Sequence, residues 1–163
     1  MDVELGAFEV LEIAEKIERS GAKFYRRAAG LIGDPELSTL FVNLAEWENR
    51  HIEVFKQMKE RLSAQRWQEG EFAPSRIAPP DARVMAGLAV FGMQPDPGAQ
   101  LSGHETRADV LRMAMEKEKD SIVYYTGLKD FVPHQGEKDL INEIIQEEMK
   151  HVRILVQSLE QSE

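Results

Sequence analysis

The chain has 163 residues, 42% of them hydrophobic, enough to bury one ordinary core without covalent staples. It contains no cysteine, which excludes disulfides, thiolate zinc sites and iron–sulfur clusters and leaves His, Asp and Glu as the available metal ligands. A formal net charge of -9 argues against a nucleic-acid backbone or an anionic membrane as the main partner, since both select basic patches. The first residues, Met1 to Leu5, carry no basic leader before an apolar stretch, and the most apolar internal run, Val84 to Met93, is too short to span a bilayer. The expectation is a single soluble, cytoplasmic domain over 1–163.

Ala7, Leu11, Ala14, Gly21, Tyr25, Ala28 and Ile32 follow the spacing of one helical face, so residues 3–32 read as a first helix, stopped by Gly33. Asp34 followed by Pro35 starts a second, because the carboxylate can accept from free N–H groups of the first turn and proline suits the first helical position. That helix, over 35–64, carries Phe41, Leu44, Ala45, Ile52, Phe55 and Leu62 on one stripe. From 65 to 103, Pro74, Pro79, Pro80, Pro95 and Pro97 with several glycines break long periodicity, which predicts a crossover with one short helix around Ala82 to Phe91. Ser102 or Thr106, each with an acid three residues later, caps a third helix over 104–130, ended by Val132-Pro133. The fourth, over 137–161, carries Leu140, Ile141, Ile144, Ile145, Val152 and Leu155. Short links make sequential neighbours antiparallel, whereas a connection of roughly 40 residues can cross the length of a bundle. The predicted class is therefore all-α, a four-helix bundle with ferritin-like connectivity.

The two halves of the chain match at a constant offset of 100. Ala14 to Glu18 and Phe24-Tyr25 fall opposite Ala114 to Glu118 and Tyr124-Tyr125, and the match runs on from Leu40 to Phe55 against Leu140 to Leu155. Glu18, Glu48, His51, Glu118, Glu148 and His151 repeat in this register, and all lie on the apolar stripes. A lone buried carboxylate is strongly unfavourable, so four of them require compensation, which two divalent cations would supply. Measured from the turn near residue 33 or 34, Glu18 lies about 15 residues back and Glu48 and His51 about 15 and 17 forward, a rise of roughly 22 to 26 Å. The same arithmetic about residue 133 levels Glu118 with Glu148 and His151, so all six can meet in one layer. Ala14, Gly21, Ala114 and Ser121, one turn away, would leave room for ions. Tyr25 and Tyr125, seven residues past the lone glutamates, could hydrogen-bond a ligand carboxylate.

One Glu-x-x-His is an ordinary surface pair, but two at a fixed offset, each with a matching glutamate and tyrosine, point to a metal site. His104 beside a cap and His134 in a turn are expected to be solvated. Glu15, Glu46, Glu116 and Glu147 are expected on charged faces, with a supporting role beside the ligands left open. Trp47 and Trp67 are expected to serve packing or an interface.

The stretches Glu15 to Tyr25, Asp34 to Leu37, Glu46 to His51 and Glu116 to Tyr125 resemble the motifs of the rubrerythrin branch of carboxylate-bridged di-iron bundles, and the likeness covers all four helices but not the crossover. The resemblance implies two iron ions bridged by Glu48 and Glu148, with Glu18, His51, Glu118 and His151 as terminal ligands. It implies a non-haem oxidoreductase acting on hydrogen peroxide or dioxygen. A ferroxidase or iron-handling role uses the same site, and a helical module holding structural zinc or manganese is the non-enzymatic alternative. Rubrerythrins append a cysteine-ligated rubredoxin domain that this chain lacks, so an external electron-donor protein is implied. They also commonly carry a further glutamate where this chain has Ser121, so the iron movement tied to that carboxylate is not implied here. Two-helix repeats with a long connection allow exchange of helix pairs between subunits, and a homodimer is expected, with such a swap as one form. The segment Val84 to Met93 is a candidate for covering the bundle or for that interface.

Overall fold

The computed structural model describes residues 6–69 and 101–161. Four helices fill them: α1 (Ala7–Leu31), α2 (Pro35–Glu69), α3 (Arg107–Leu128) and α4 (Gln135–Glu160). The greater part of the crossover expected over 65–103, its short helix, the Val84 to Met93 run and the side chain of Trp67 fall outside the described residues. No described helix is long and apolar enough to cross a membrane.

The helix ends follow local chemistry. Gly6 is the extended N-cap of α1, its N–H donating to Glu9 at 3.0 Å, and the helix begins at Ala7; residues 3–5 of the expected span lie outside the described residues. Asp34 accepts from the N–H groups of Glu36 and Leu37 at 2.9 and 3.2 Å, as a capping acid should. Five residues beyond the expected end, α2 is still helical at Glu69, because Gln65 to Glu69 contains no breaker before Gly70. At the start of α3, Thr106 Oγ1 accepts from Asp109 N–H at 3.2 Å while the Asp109 carboxylate accepts from Thr106 N–H at 3.1 Å. Ser102 is not the cap: its N–H and hydroxyl both donate to Glu105 in a separate turn, where Gly103 sits at φ +88. The last helix starts at Gln135, two residues early, with His134 as its extended N-cap.

The apolar residues form two clusters. One joins Val10 and Leu11 of α1 to Phe55 and Met58 of α2, Leu128 of α3 and Ile141 and Ile144 of α4. The other joins Phe24 and Ala28 to Leu37 and Phe41, Val110 and Leu111, and Leu155. The start of α1 therefore shares an end of the bundle with the end of α2, the end of α3 and the start of α4. Helices α2 and α3 run parallel, and the chain between them must travel from one end of the bundle to the other. Tyr124 Oη donates to the Val10 carbonyl at 2.9 Å, and Arg107 pairs with Asp34, tying the two hairpins at opposite ends.

Candidate metal centre

Between the two apolar clusters lies a charged layer. Glu18, Glu48, His51, Glu118, Glu148 and His151 are all buried, the most exposed being Glu48 at 5%. One helix supplies each lone glutamate and the next supplies a Glu-x-x-His, whose i, i+3 spacing turns both side chains inward. One ligand atom each from Glu18, Glu48, His51 and Glu148 lies within 4.8 Å of the others, and the same holds for Glu48, Glu118, Glu148 and His151. Glu48 and Glu148 belong to both groups.

The approach of each imidazole to the lone glutamate of its own half repeats, but both imidazoles lean on the one carboxylate of Glu148. His51 Nδ1 stands 3.5 Å from Glu18 and 2.9 Å from Glu148, and His151 Nδ1 stands 3.5 Å from Glu118 and 2.8 Å from Glu148. The imidazole centroids are 6.1 Å apart. His51 Nδ1 and Glu148 Oε1 face each other without the angle of a hydrogen bond. They and Glu18 Oε2 are buried polar atoms with no hydrogen-bond partner. Three unpaired donor atoms aimed at one space are what a cation would satisfy.

Charge is distributed unevenly among the carboxylates. Burial, then the Glu18 and Glu148 carboxylates, push Glu48 well above the usual range; burial and Glu148 do the same to Glu118. Glu148 is also buried, yet the hydrogen bond with His151 and the His51 imidazole 2.9 Å away override that and hold it low. Burial would lower both histidines, but Glu148 and Glu18 raise His51 to about 11, and Glu118 and Glu148 raise His151 to about 9.

The tyrosines cross between hairpins. Tyr25 Oη of α1 donates to Glu118 of α3, and Tyr125 Oη of α3 donates to Glu18 of α1. Burial and the surrounding carboxylates push both phenols far up, so each is a neutral donor. Gly21 provides the expected space: a Cβ there would lie 3.2 Å from Glu48 Cδ and Oε1. Ser121 turns away, its hydroxyl donating to the Lys117 carbonyl at 3.1 Å.

Glu147 is exposed, as expected, and takes the supporting role left open for it: its Oε2 stands 3.0 Å from His51 Nε2, behind the imidazole. Glu15 departs from the expected charged face. Glu15 is buried because Lys59 of α2 and Arg19 both reach it at 2.6 Å; burial opposes its ionisation, and these two cations more than offset that and hold its carboxyl below the usual range. Trp47 packs, as expected, and its partner is His151, with ring centroids 4.8 Å apart and nearly parallel. Glu46, Glu116, His104 and His134 lie at the surface. Sequence reasoning did not single out Glu137, which is buried in the first turn of α4.

No protein-family model matches the chain, and no curated protein does either. Among solved structures, a protein from Thermotoga maritima provisionally described as a ferritin-like diiron-carboxylate protein matches it with a TM-score of 0.70. The match covers 100% of both chains at 24% identity. The fold is ferritin-like. In this ferritin-like bundle the buried Glu and His cluster occupies the middle layer, and its oxygen and imidazole donors suit a pair of divalent metal ions.

Proposed function

We propose that the chain holds two iron ions and acts as a non-haem di-iron oxidoreductase toward hydrogen peroxide or dioxygen, re-reduced by an external electron-donor protein. The observation that carries this reading is the buried set of four carboxylates and two imidazoles with Glu48 and Glu148 common to both halves. In it, Glu48 and Glu148 would span both ions, Glu18 and His51 would complete one, and Glu118 and His151 the other. When bound, the iron pair would supply two electrons to the oxidant.

The chain's own residues do the rest. Tyr25 and Tyr125 hold Glu118 and Glu18 in fixed orientations by donating to one oxygen of each. The two apolar clusters close the layer from both ends and keep bulk water out. The Thermotoga protein, described as a diiron-carboxylate protein, supports the choice of iron over zinc or manganese.

Metal content of protein expressed in iron-supplemented medium, followed by anaerobic reduction and peroxide addition under near-ultraviolet absorption, tests the reading. About two irons per chain, with an absorption change on peroxide, are expected. Zinc alone, or iron that gives no change with either oxidant, would overturn the redox assignment in favour of a structural metal. Oxidation of many irons per site would replace it with ferroxidase or iron handling.

A further inference from the structure

Behind the two imidazoles the internal repeat breaks. His51 Nε2 has the Glu147 carboxylate at 3.0 Å, whereas Trp47, the repeat counterpart of Glu147, lies flat against the face of the His151 ring with centroids 4.8 Å apart. Among the described residues, the carboxylates paired with His151 are Glu118 and Glu148, both on Nδ1. In front of the rings Glu148 faces both Nδ1 atoms, and behind them position 47 against position 147 is a difference in chemistry between the halves.

We propose that Glu147 is a positioning residue that makes the two halves of the centre unequal, so that the Glu18–His51 half takes up a divalent cation first and more tightly. The inference rests on the metal-centre reading above. Donation of Nε2–H to a carboxylate fixes the tautomer, holds the Nδ1 lone pair toward the cluster and makes the imidazole a stronger ligand; such partners are commonly worth about 10–100-fold in metal affinity. Trp47 restrains its ring by stacking but offers no acceptor and no charge.

A second observation points the same way. Glu18 Oε2, His51 Nδ1 and Glu148 Oε1 make no hydrogen bond, although His51 Nδ1 stands 2.9 Å from Glu148 Oε1, so no hydrogen bond among these three atoms has to break before a cation binds. His151 Nδ1 is engaged with Glu148 Oε2 at 2.8 Å, a hydrogen bond that must break before the nitrogen can ligate. The Glu147 side chain is 47% exposed, so salt screens its charge and the expected effect is about tenfold, the lower end of that range.

Anaerobic titration of the metal-stripped full chain with Co(II), followed by visible absorption of the bound ion, reads the two steps separately. Glu147→Gln keeps an oxygen to accept Nε2–H and removes the charge; Glu147→Ala removes both. The native chain should take up Co(II) in two steps, the first about tenfold tighter. Glu147→Gln should weaken that first step about tenfold and leave the second unchanged, Glu147→Ala should weaken it further, and Trp47→Phe should leave it unaltered. Thermal unfolding of the stripped variants, unchanged from the native chain, separates this from a loss of structure. One-step uptake by the native chain, or equal weakening of both steps by Glu147→Gln, overturns the inference and leaves the metal centre standing. No uptake by the native chain overturns both.

Discussion

The α1–α2 and α3–α4 hairpins each present two glutamates and a histidine at the same heights, yet they share the electrostatic burden unequally. Glu148 of the second hairpin takes both imidazoles, at 2.9 and 2.8 Å, and its carboxylate is held low. Glu48 of the first hairpin, its repeat partner, meets mainly other carboxylates and is pushed well up. Sequence identity of the two Glu-x-x-His motifs therefore conceals two roles. Glu148 organises the charged layer by itself, while Glu48 is accommodated only if a proton or a cation sits beside it. An internal repeat fixes which residue types meet, and small differences in approach decide which of them carries the charge.

The largest test of that contrast removes the shared carboxylates. Glu48→Ala and Glu148→Ala should each abolish loading of both ions, because each side chain belongs to both ligand groups, while His104→Ala at the surface should leave metal content unchanged. Equal loss in all three, measured by elemental analysis, would break the site assignment.

Isosteric amides sharpen the comparison in the metal-free protein. Glu148→Gln strands two buried imidazoles without their common counter-charge and should cost about 3–5 kcal/mol in urea unfolding, the range for one broken buried pair. Glu48→Gln replaces a carboxyl that already prefers to be neutral, and it should be neutral or stabilising. Matching losses in both would show that the two carboxylates carry charge alike.

A pH series gives the gentlest test. In the metal-free protein His51 and His151 rise from 6.5 to about 11 and about 9. A histidine raised on folding contributes stability that is complete below its unfolded value and is lost as pH climbs through the folded one. The raised Glu48 and Glu118 act in the same direction, while the lowered Glu148 contributes stability that is lost only in acid. Metal-free protein should therefore lose stability from pH 6.5 to about 9, by up to about 1.4 kcal/mol per pH unit for each histidine. Saturating Zn(II) should flatten or reverse the trend, since binding requires deprotonated ligands. A metal-free stability that rises across this window would sink the charge assignment.

Much of this centre was legible in the chain because helical geometry is local. The Glu-x-x-His spacing, the apolar neighbours of Glu18 and Glu118, and equal distances from the turns at 33 and 133 together place six side chains in one layer. Asp34-Pro35 and the reciprocal Thr106–Asp109 cap were readable for the same reason, since caps satisfy their own first turn. Glu15 was not: the sequence placed it on a charged face, and its burial depends on Lys59 arriving from α2 to join Arg19. Glu147 carried a faint signal, because the offset of 100 sets it against Trp47 and so marks a break in the repeat.

The sequence by itself determined the four helices, the Asp34 cap, the inward stripes and the ligand types, because each depends on contacts within a few residues or on a periodicity the chain must obey. Which tyrosine serves which glutamate was decided by the packing of α1 against α3, which sends Tyr25 to Glu118 and Tyr125 to Glu18, each in the other hairpin. The packing of α2 against α4 brought His51 as well as His151 to Glu148 and set Glu147 against His51 and Trp47 against His151. Those choices depend on how two near-equal hairpins settle against each other by fractions of an ångström in a dense, low-dielectric interior, where the strength of a charge contact changes steeply with distance.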